Sequence, residues 1–177
     1  MSRLAVVEQN LAMLRQGLVL VNGMSDDVYA AEDIGTGSGL GAHIRHVIEF
    51  YRALFEGFPR ARIDYDRRDR DRDIERRRAA ATAAIEDIIK KLENHTMDPD
   101  RELLVSVDAP PIAATAVGED SVIWSRSSVL RELQFALSHT VHHYALIACQ
   151  LRERGTDPGA DFGMAPATLA ARDVEVG

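Results

Sequence analysis

Four stretches of this chain repeat their apolar residues every three to four positions, and that periodicity constrains the fold more than any other feature. Residues 3–22 carry Leu4, Val7, Leu11, Leu14, Leu18 and Val21, the recurrence of an amphipathic helix; Asn22-Gly23 ends it. A second helix starts after Gly35-Thr36-Gly37-Ser38-Gly39, where Thr36 or Ser38 can cap it, and runs to about Phe58, before Pro59. Its apolar stripe is Leu40, Ile44, Val47, Ile48, Tyr51, Leu54 and Phe55, with Arg45, Glu49, Arg52 and Glu56 opposite. A third covers about 75–94 through Ala83, Ile85, Ile88, Ile89 and Leu92, and Asn94 and Pro99 close it. The last begins at a cap on Ser127 or Ser128, runs to about Arg154, and buries Leu130, Leu133, Ala136, Leu137, Thr140, Tyr144, Ile147 and Leu151. Gly155 stops it. A helix with one apolar face must bury that face against another element. Four such helices predict an all-α four-helix bundle, an architecture whose facing helices commonly house metal sites.

The intervening segments read differently. Residues 60–78 alternate acid and arginine, as in Asp64-Tyr65-Asp66-Arg67-Arg68-Asp69-Arg70-Asp71-Arg72-Asp73, the signature of a solvated face or loop. Short β-type runs follow at 103–107, 112–117 and 122–125, separated by Pro110-Pro111 and Gly118-Glu119-Asp120. They predict a small antiparallel sheet inserted at about 103–126, before the last helix. The tail, 156–177, lacks periodicity and is expected to be irregular, with one short helical turn. With 177 residues, 46% of them hydrophobic, and no internal repeat, residues 1–177 are expected to form a single domain around one core. A net charge of −7 offers no basic face for nucleic acid. No leader pattern and no run of about 20 apolar residues is present, so the expected setting is cytoplasmic, away from membranes. The lone Cys149, set among Leu146, Ile147, Ala148 and Leu151, reads as a small buried hydrophobe.

Five of the six histidines fall in two short helical clusters, His43 with His46, and His139 with His142 and His143. Residues at i and i+4 share a helical face at about 5–6 Å between Cβ atoms, a reach at which one ion can bind both. Three such ligands leave a coordination position open, as in a reactive site rather than a closed structural one. A single histidine beside a helical core is ordinarily a satisfied core residue; the argument rests on two clusters at once. With Thr140 at the centre of the apolar face, His139 and His143 lie on one shoulder in line with Glu132, Ala136 and Gln150. His142 points about 100° further round. Glu132 or Gln150 could orient a ligand or touch a bound molecule. On the second helix the wheel leaves two residues open, His43 nearer the apolar stripe and His46 on its edge beside Phe50 and Ala42. Two apparent motifs carry no weight. Gly37-Ser38-Gly39-Leu40-Gly41-Ala42 lacks the preceding strand that a dinucleotide fingerprint requires, and Asp161-Phe162-Gly163 lacks every kinase partner motif.

Gly39-Leu40-Gly41-Ala42-His43-Ile44-Arg45-His46-Val47 and His139-Thr140-Val141-His142-His143-Tyr144-Ala145-Leu146-Ile147 together resemble the DinB/YfiT-like superfamily of metal-binding four-helix bundles. In that family a small residue at a helix start is followed seven positions later by the first ligand histidine, which favours His46. The last helix carries H-x-x-x-H, which favours His139 and His143. The resemblance spans residues 3 to about 154. Two departures stand out: the β insertion is not part of the minimal bundle, and Gly39 stands where a small hydroxylic residue is usual, with Ser38 one place earlier. Misplacement of that start would make His43 the first ligand.

The resemblance implies a divalent ion, zinc, nickel or iron, on three neutral imidazoles with open positions, and imidazole does not itself choose among these metals. Such a site lowers the pKa of bound water or thiol and polarises a carbonyl. The function it implies is a metal-dependent thiol transferase or hydrolase acting on a small molecule, with a low-molecular-weight thiol as partner. The competing reading is a non-enzymatic metal-binding or stress-associated dimeric bundle. No catalytic residue is legible. Glu132, Tyr144 and His142 are the nearest general-base candidates, and each has a plain alternative as surface carboxylate, core aromatic and outward imidazole; His43, Glu132 and His142 are candidates for supporting the ligands or touching substrate. Phe50, Ala53 and Gly57 widen the apolar arc of the second helix beyond one packing face, from which a homodimer is expected.

Overall fold

The computed structural model describes residues 4–32, 38–67, 69–106 and 122–176. Its elements are α1 (Ala5–Gly23), α2 (Asp26–Ala30), α3 (Leu40–Gly57), a 3-10 turn at Phe58–Arg60, β1 (Arg62–Asp64), α4 (Arg72–Arg76), α5 (Arg78–Asn94), β2 (Glu102–Ser106), β3 (Ser125–Ser128), α6 (Val129–Glu153) and α7 (Pro166–Val176). The chain is thus mostly helical with a small three-stranded sheet. Both α1 and α3 pack against α5 and against α6, so each of the four long helices meets two others. Their apolar stripes form one core, in which Leu11, Leu14, Ile48, Leu54, Leu133 and Ile147 are fully buried. Ser128, in extended conformation, accepts the N–H of Arg131 and caps α6. None of the described helices is long and apolar enough to cross a membrane.

A buried polar brace ties three of these helices together. The Tyr51 hydroxyl on α3 donates to Oδ1 of Asn10 on α1 at 2.5 Å, and Nδ2 of Asn10 donates to the Leu133 carbonyl on α6 at 3.1 Å. Oγ1 of Thr140 lies 3.3 Å from the Tyr51 oxygen while donating to the Ala136 carbonyl at 2.7 Å. Burial pushes the Tyr51 phenol far up, so it stays a donor at any physiological pH. Nearby, the α1 backbone at Gly17 runs directly against the Tyr144 hydroxyl, where a Cβ would clash.

Several expectations are corrected. The Asp/Arg segment is not a loop throughout: it contains β1 and α4, anchored by buried Ile63, Tyr65 and Ile74. Single apolar residues spaced among charges supply anchors without any period. Because β1 pairs in parallel with β2, Ile63 opposite Val105, while β2 and β3 are antiparallel, the sheet is mixed rather than antiparallel. The apolar run Val122–Trp124 precedes β3, which is built from Ser125-Arg126-Ser127-Ser128; backbone pairing, not side-chain hydrophobicity, selects that segment. The expected run at 112–117 and the Thr36 cap lie outside the described residues. The third helix is split, Arg77 breaking α4 from α5 in an extended conformation. In the tail, α7 is an 11-residue helix rather than a single turn. Cys149 is exposed, not buried, because it falls on the outer side of α6. Finally, Phe50, Ala53 and Gly57 are all buried within the chain: Phe50 stacks on Tyr65 and the Gly57 backbone abuts Arg62 and Ile63. That arc therefore gives no reason for a dimer.

Replacing Tyr51 with Phe leaves Asn10 Oδ1 buried without its donor, and the expected loss is about 1–3 kcal/mol of unfolding free energy. Urea denaturation of Tyr51→Phe beside the parent checks this; an unchanged midpoint would show that the brace contributes nothing.

Candidate metal centre

Packing of α3 on α6 places His46 opposite His139 and His143, which stand one turn apart on α6. One ring nitrogen from each of the three lies within 4.8 Å of the others. Their ring centroids are 4.8 Å apart for His46–His139, 4.6 Å for His46–His143 and 4.5 Å for His139–His143. All three rings are half-buried. Among the described residues this is the group of histidines, cysteines and carboxylates able to meet at an ion.

His43, one turn before His46, stands beside that group. Its Nδ1 is 3.0 Å from Nδ1 of His143, so a single N–H sits between the two rings and each fixes the other's tautomer. Nε2 of Gln150 donates to the Ser38 carbonyl at 2.9 Å and lies 3.4 Å from Nε2 of His43. Gln150 thus meets His43 and reaches the three-histidine group only through it.

The other wall is aromatic. Phe50, one turn after His46, stacks on His139 with centroids 3.9 Å apart, and Tyr65 stacks on the far side at 4.6 Å from Phe50. The Tyr65 hydroxyl donates to Oε2 of Glu132 at 2.8 Å, and the Ser127 hydroxyl donates to the other oxygen, Oε1. Burial and the Glu132 carboxylate push the Tyr65 phenol far up, which keeps it protonated in this role.

The sequence-derived candidates therefore separate. His46, His139 and His143 come together, and His43 supports His143. Glu132 is not a surface carboxylate: at 3% exposure, with both oxygens taken by Tyr65 and Ser127, it holds the aromatic wall rather than an imidazole. His142 is exposed on α6, with its ring centroid 5.2 Å from that of His143. Tyr144 is a core residue, stacked on Phe162 at 5.0 Å. Sequence reasoning missed Tyr65 altogether, since nothing in a charged run marks one aromatic as a wall. Phe50 could have been found, because i+4 from His46 puts it on the same helical face.

Burial, reinforced by the imidazoles of His139, His46, His43 and His142, pushes His143 down from its ordinary 6.5 to about 2. A proton would add charge where four other imidazoles already crowd. At neutral pH His143 is therefore uncharged, the state in which imidazole nitrogen can ligate a metal. A donor set of three neutral nitrogens fits zinc, nickel or iron better than magnesium or calcium, which prefer oxygen.

Comparison with known proteins agrees with these elements. The DinB superfamily profile matches residues 8–147, a span containing all five histidines of the two clusters. A curated protein from Rhizopus delemar, FK506-binding protein 5, is 36% identical over 109 residues, covering 60% of this chain and 26% of that protein. The chain thus matches about a quarter of that relative's length. No solved structure matches it.

Because His143 binds its proton more weakly folded than unfolded, the unfolded state takes up more protons between about pH 2 and 6.5. Stability of the metal-free protein is expected to be present above pH 6.5 and to fall as pH drops below it. Thermal melts at pH 7 and pH 5 check this, and His143→Gln should flatten the difference; an equally steep loss in the variant would assign the effect elsewhere.

Proposed function

The chain belongs to the DinB superfamily, and from that premise we propose that it is a four-helix bundle that holds one divalent ion on His46, His139 and His143 with a coordination position left open. The observation that carries this reading is the meeting within 4.8 Å of three ring nitrogens, one from α3 and two from α6, helices far apart in sequence. A divalent ion there would lower the pKa of a bound thiol or water and polarise a carbonyl. His43 orients His143 through the shared N–H, and Phe50 holds the plane of His139 by stacking. Neither contact uses charge, so the ion's own charge is left for what binds in the open position.

Within that reading the favoured activity is transfer of a low-molecular-weight thiol to a small-molecule acceptor. Glu132, one of the three nearest general-base candidates, has both oxygens engaged by Tyr65 and Ser127. What the ion itself would supply then decides: bound water would be brought only to a pKa of about 7, whereas a thiol coordinated to a divalent ion would lose its proton outright. The bundle itself does not depend on the ion, because four long amphipathic helices bury enough apolar surface to fold alone.

Metal analysis of protein purified without chelator is expected to find one ion per chain, and His143→Ala is expected to lose it while keeping its far-ultraviolet circular dichroism. A full complement of ion in His143→Ala would refute the ligand set. Collapse of helicity in both the variant and the chelated parent would instead make the metal structural and remove the case for chemistry. Retained helicity, followed by thiol consumption only in metal-loaded parent protein presented with electrophilic acceptors, is the outcome the transferase reading requires.

A further inference from the structure

Away from the histidines, a cavity of about 890 Å³ opens between the second half of α1, α2, Leu151 of α6 and the chain that leads from α6 to α7. Its volume is that of a small-molecule site. Val19, Leu20, Met24, Val28, Leu151 and Phe162 give it an apolar lining. Val19 is 74% exposed and Val28 36%, two of the four large apolar side chains left so exposed among the described residues. Removing such surface from water is favourable in proportion to the area covered. The far wall is held in place without any ligand. Phe162 is buried and stacks on Tyr144 at 5.0 Å. Gly163, in the left-handed region at φ 76°, packs on the Tyr144 backbone with no room for a Cβ. Its N–H donates to Oε1 of Gln16 at 3.3 Å, and Nε2 of Gln16 donates to the Asp161 carbonyl at 3.4 Å. The loop is thus fastened to α6 at Tyr144 and to α1 at Gln16, and the space beside those fastenings is preformed.

The charged groups of the wall do not call for an ion. Arg15 pairs with Glu93 at 2.7 Å, and Asp161 with Arg172 at 3.0 Å. Oδ1 of Asp157 accepts the N–H of Gly159 at 2.9 Å. No cation is paired with Asp157 among the described residues, yet that residue is exposed, where water screens its charge. An ion entering the cavity would shed hydration against an apolar lining and find no buried partner there. We propose that this cavity binds a neutral, predominantly apolar small molecule, aliphatic or aromatic, which covers Val19 and Val28. The three-histidine centre shares no residue with this site, so the assignment stands independently of it.

The test uses the full chain and N-phenyl-1-naphthylamine, a neutral dye that brightens in apolar surroundings. Its competitors are n-heptanol, n-heptylammonium and heptanoate, equal in chain length and different in charge. Saturable dye binding is expected, displaced by heptanol at lower concentration than by either ion. Val19→Asp puts a charge on the rim at a position where the fold makes no demand, and should weaken dye binding about tenfold or more, the worth of covering one apolar side chain. A Cβ at Gly23 meets nothing within 4 Å, so Gly23→Leu fills space without a clash and should weaken binding as well. His143→Ala should leave dye binding unchanged, which separates failure of this site from failure of the histidine centre. No saturable binding, or binding that survives both Val19→Asp and Gly23→Leu, would overturn the proposal. Displacement by heptylammonium at lower concentration than by heptanol would overturn it in favour of a cation seated on Asp157. Absence of dye binding together with a dimer, seen by light scattering, that Val19→Asp dissociates would overturn it in favour of a second copy of the chain.

Discussion

The register between α3 and α6 is the constraint on which the rest of this structure depends. Tyr51 and Thr140 meet across that interface at 3.3 Å, and Asn10 joins the Tyr51 hydroxyl to the Leu133 carbonyl. Thr140 follows His139 directly, and Tyr51 stands five residues after His46. A polar contact inside an apolar interface is specific where apolar packing is permissive, because a shift of one residue would leave the phenol, the amide and the hydroxyl buried without partners. Fixing that contact fixes which turn of α3 faces His139 and His143. The three imidazoles meet because the brace beneath them admits one register.

What surrounds the imidazoles is built from a segment with little helical character of its own. Residues 62–76, dense in arginine and aspartate, lay Tyr65 against Phe50 and Ile74 under the α3 start, while β1 extends the sheet in parallel with β2. The Tyr29 hydroxyl donates to the Ile74 carbonyl at 2.6 Å, and the Gly41 backbone rests against the Glu75 carbonyl, so this cover is fastened at its C-terminal end. Charges on its outer side stay in solvent, and most of their ion pairs are exposed ones that contribute little to stability. The exception is the Arg45 group, where Glu49 was brought under the cover with its charge. On the polar side of α3 by periodicity, Glu49 is buried only because chain from elsewhere folds over it.

Helix order and the faces of the four long helices were legible because burial of one stripe per helix writes itself into the sequence at a period of 3.6. The pair His139 and His143 was legible for the same reason, as residues four apart share a face whatever the helix packs against. Choosing His46 over His43 was beyond the helical wheel, since both flank the stripe of α3. The resemblance in the Gly39–Val47 segment favoured His46, and the geometry places His46 with the α6 pair and His43 behind His143. The sequence did not reveal β1, and it marked α7 only as a short turn. A three-residue strand takes its identity from the backbone it pairs with, and the tail offers too few periodic positions to exceed noise.

The sequence by itself determined that the chain is helical, which surfaces are apolar, and that two histidines stand together on one face, because each of these is a local property carried by spacing along one helix. Only the tertiary structure decided that His46 completes the cluster, that Tyr65 and Phe50 wall it, that Glu132 serves the wall rather than the imidazoles, and that Glu49 is buried beside Arg45. Each of these depends on groups from segments far apart in sequence. The distance between such groups is set by packing and register, which no spacing along a single element records.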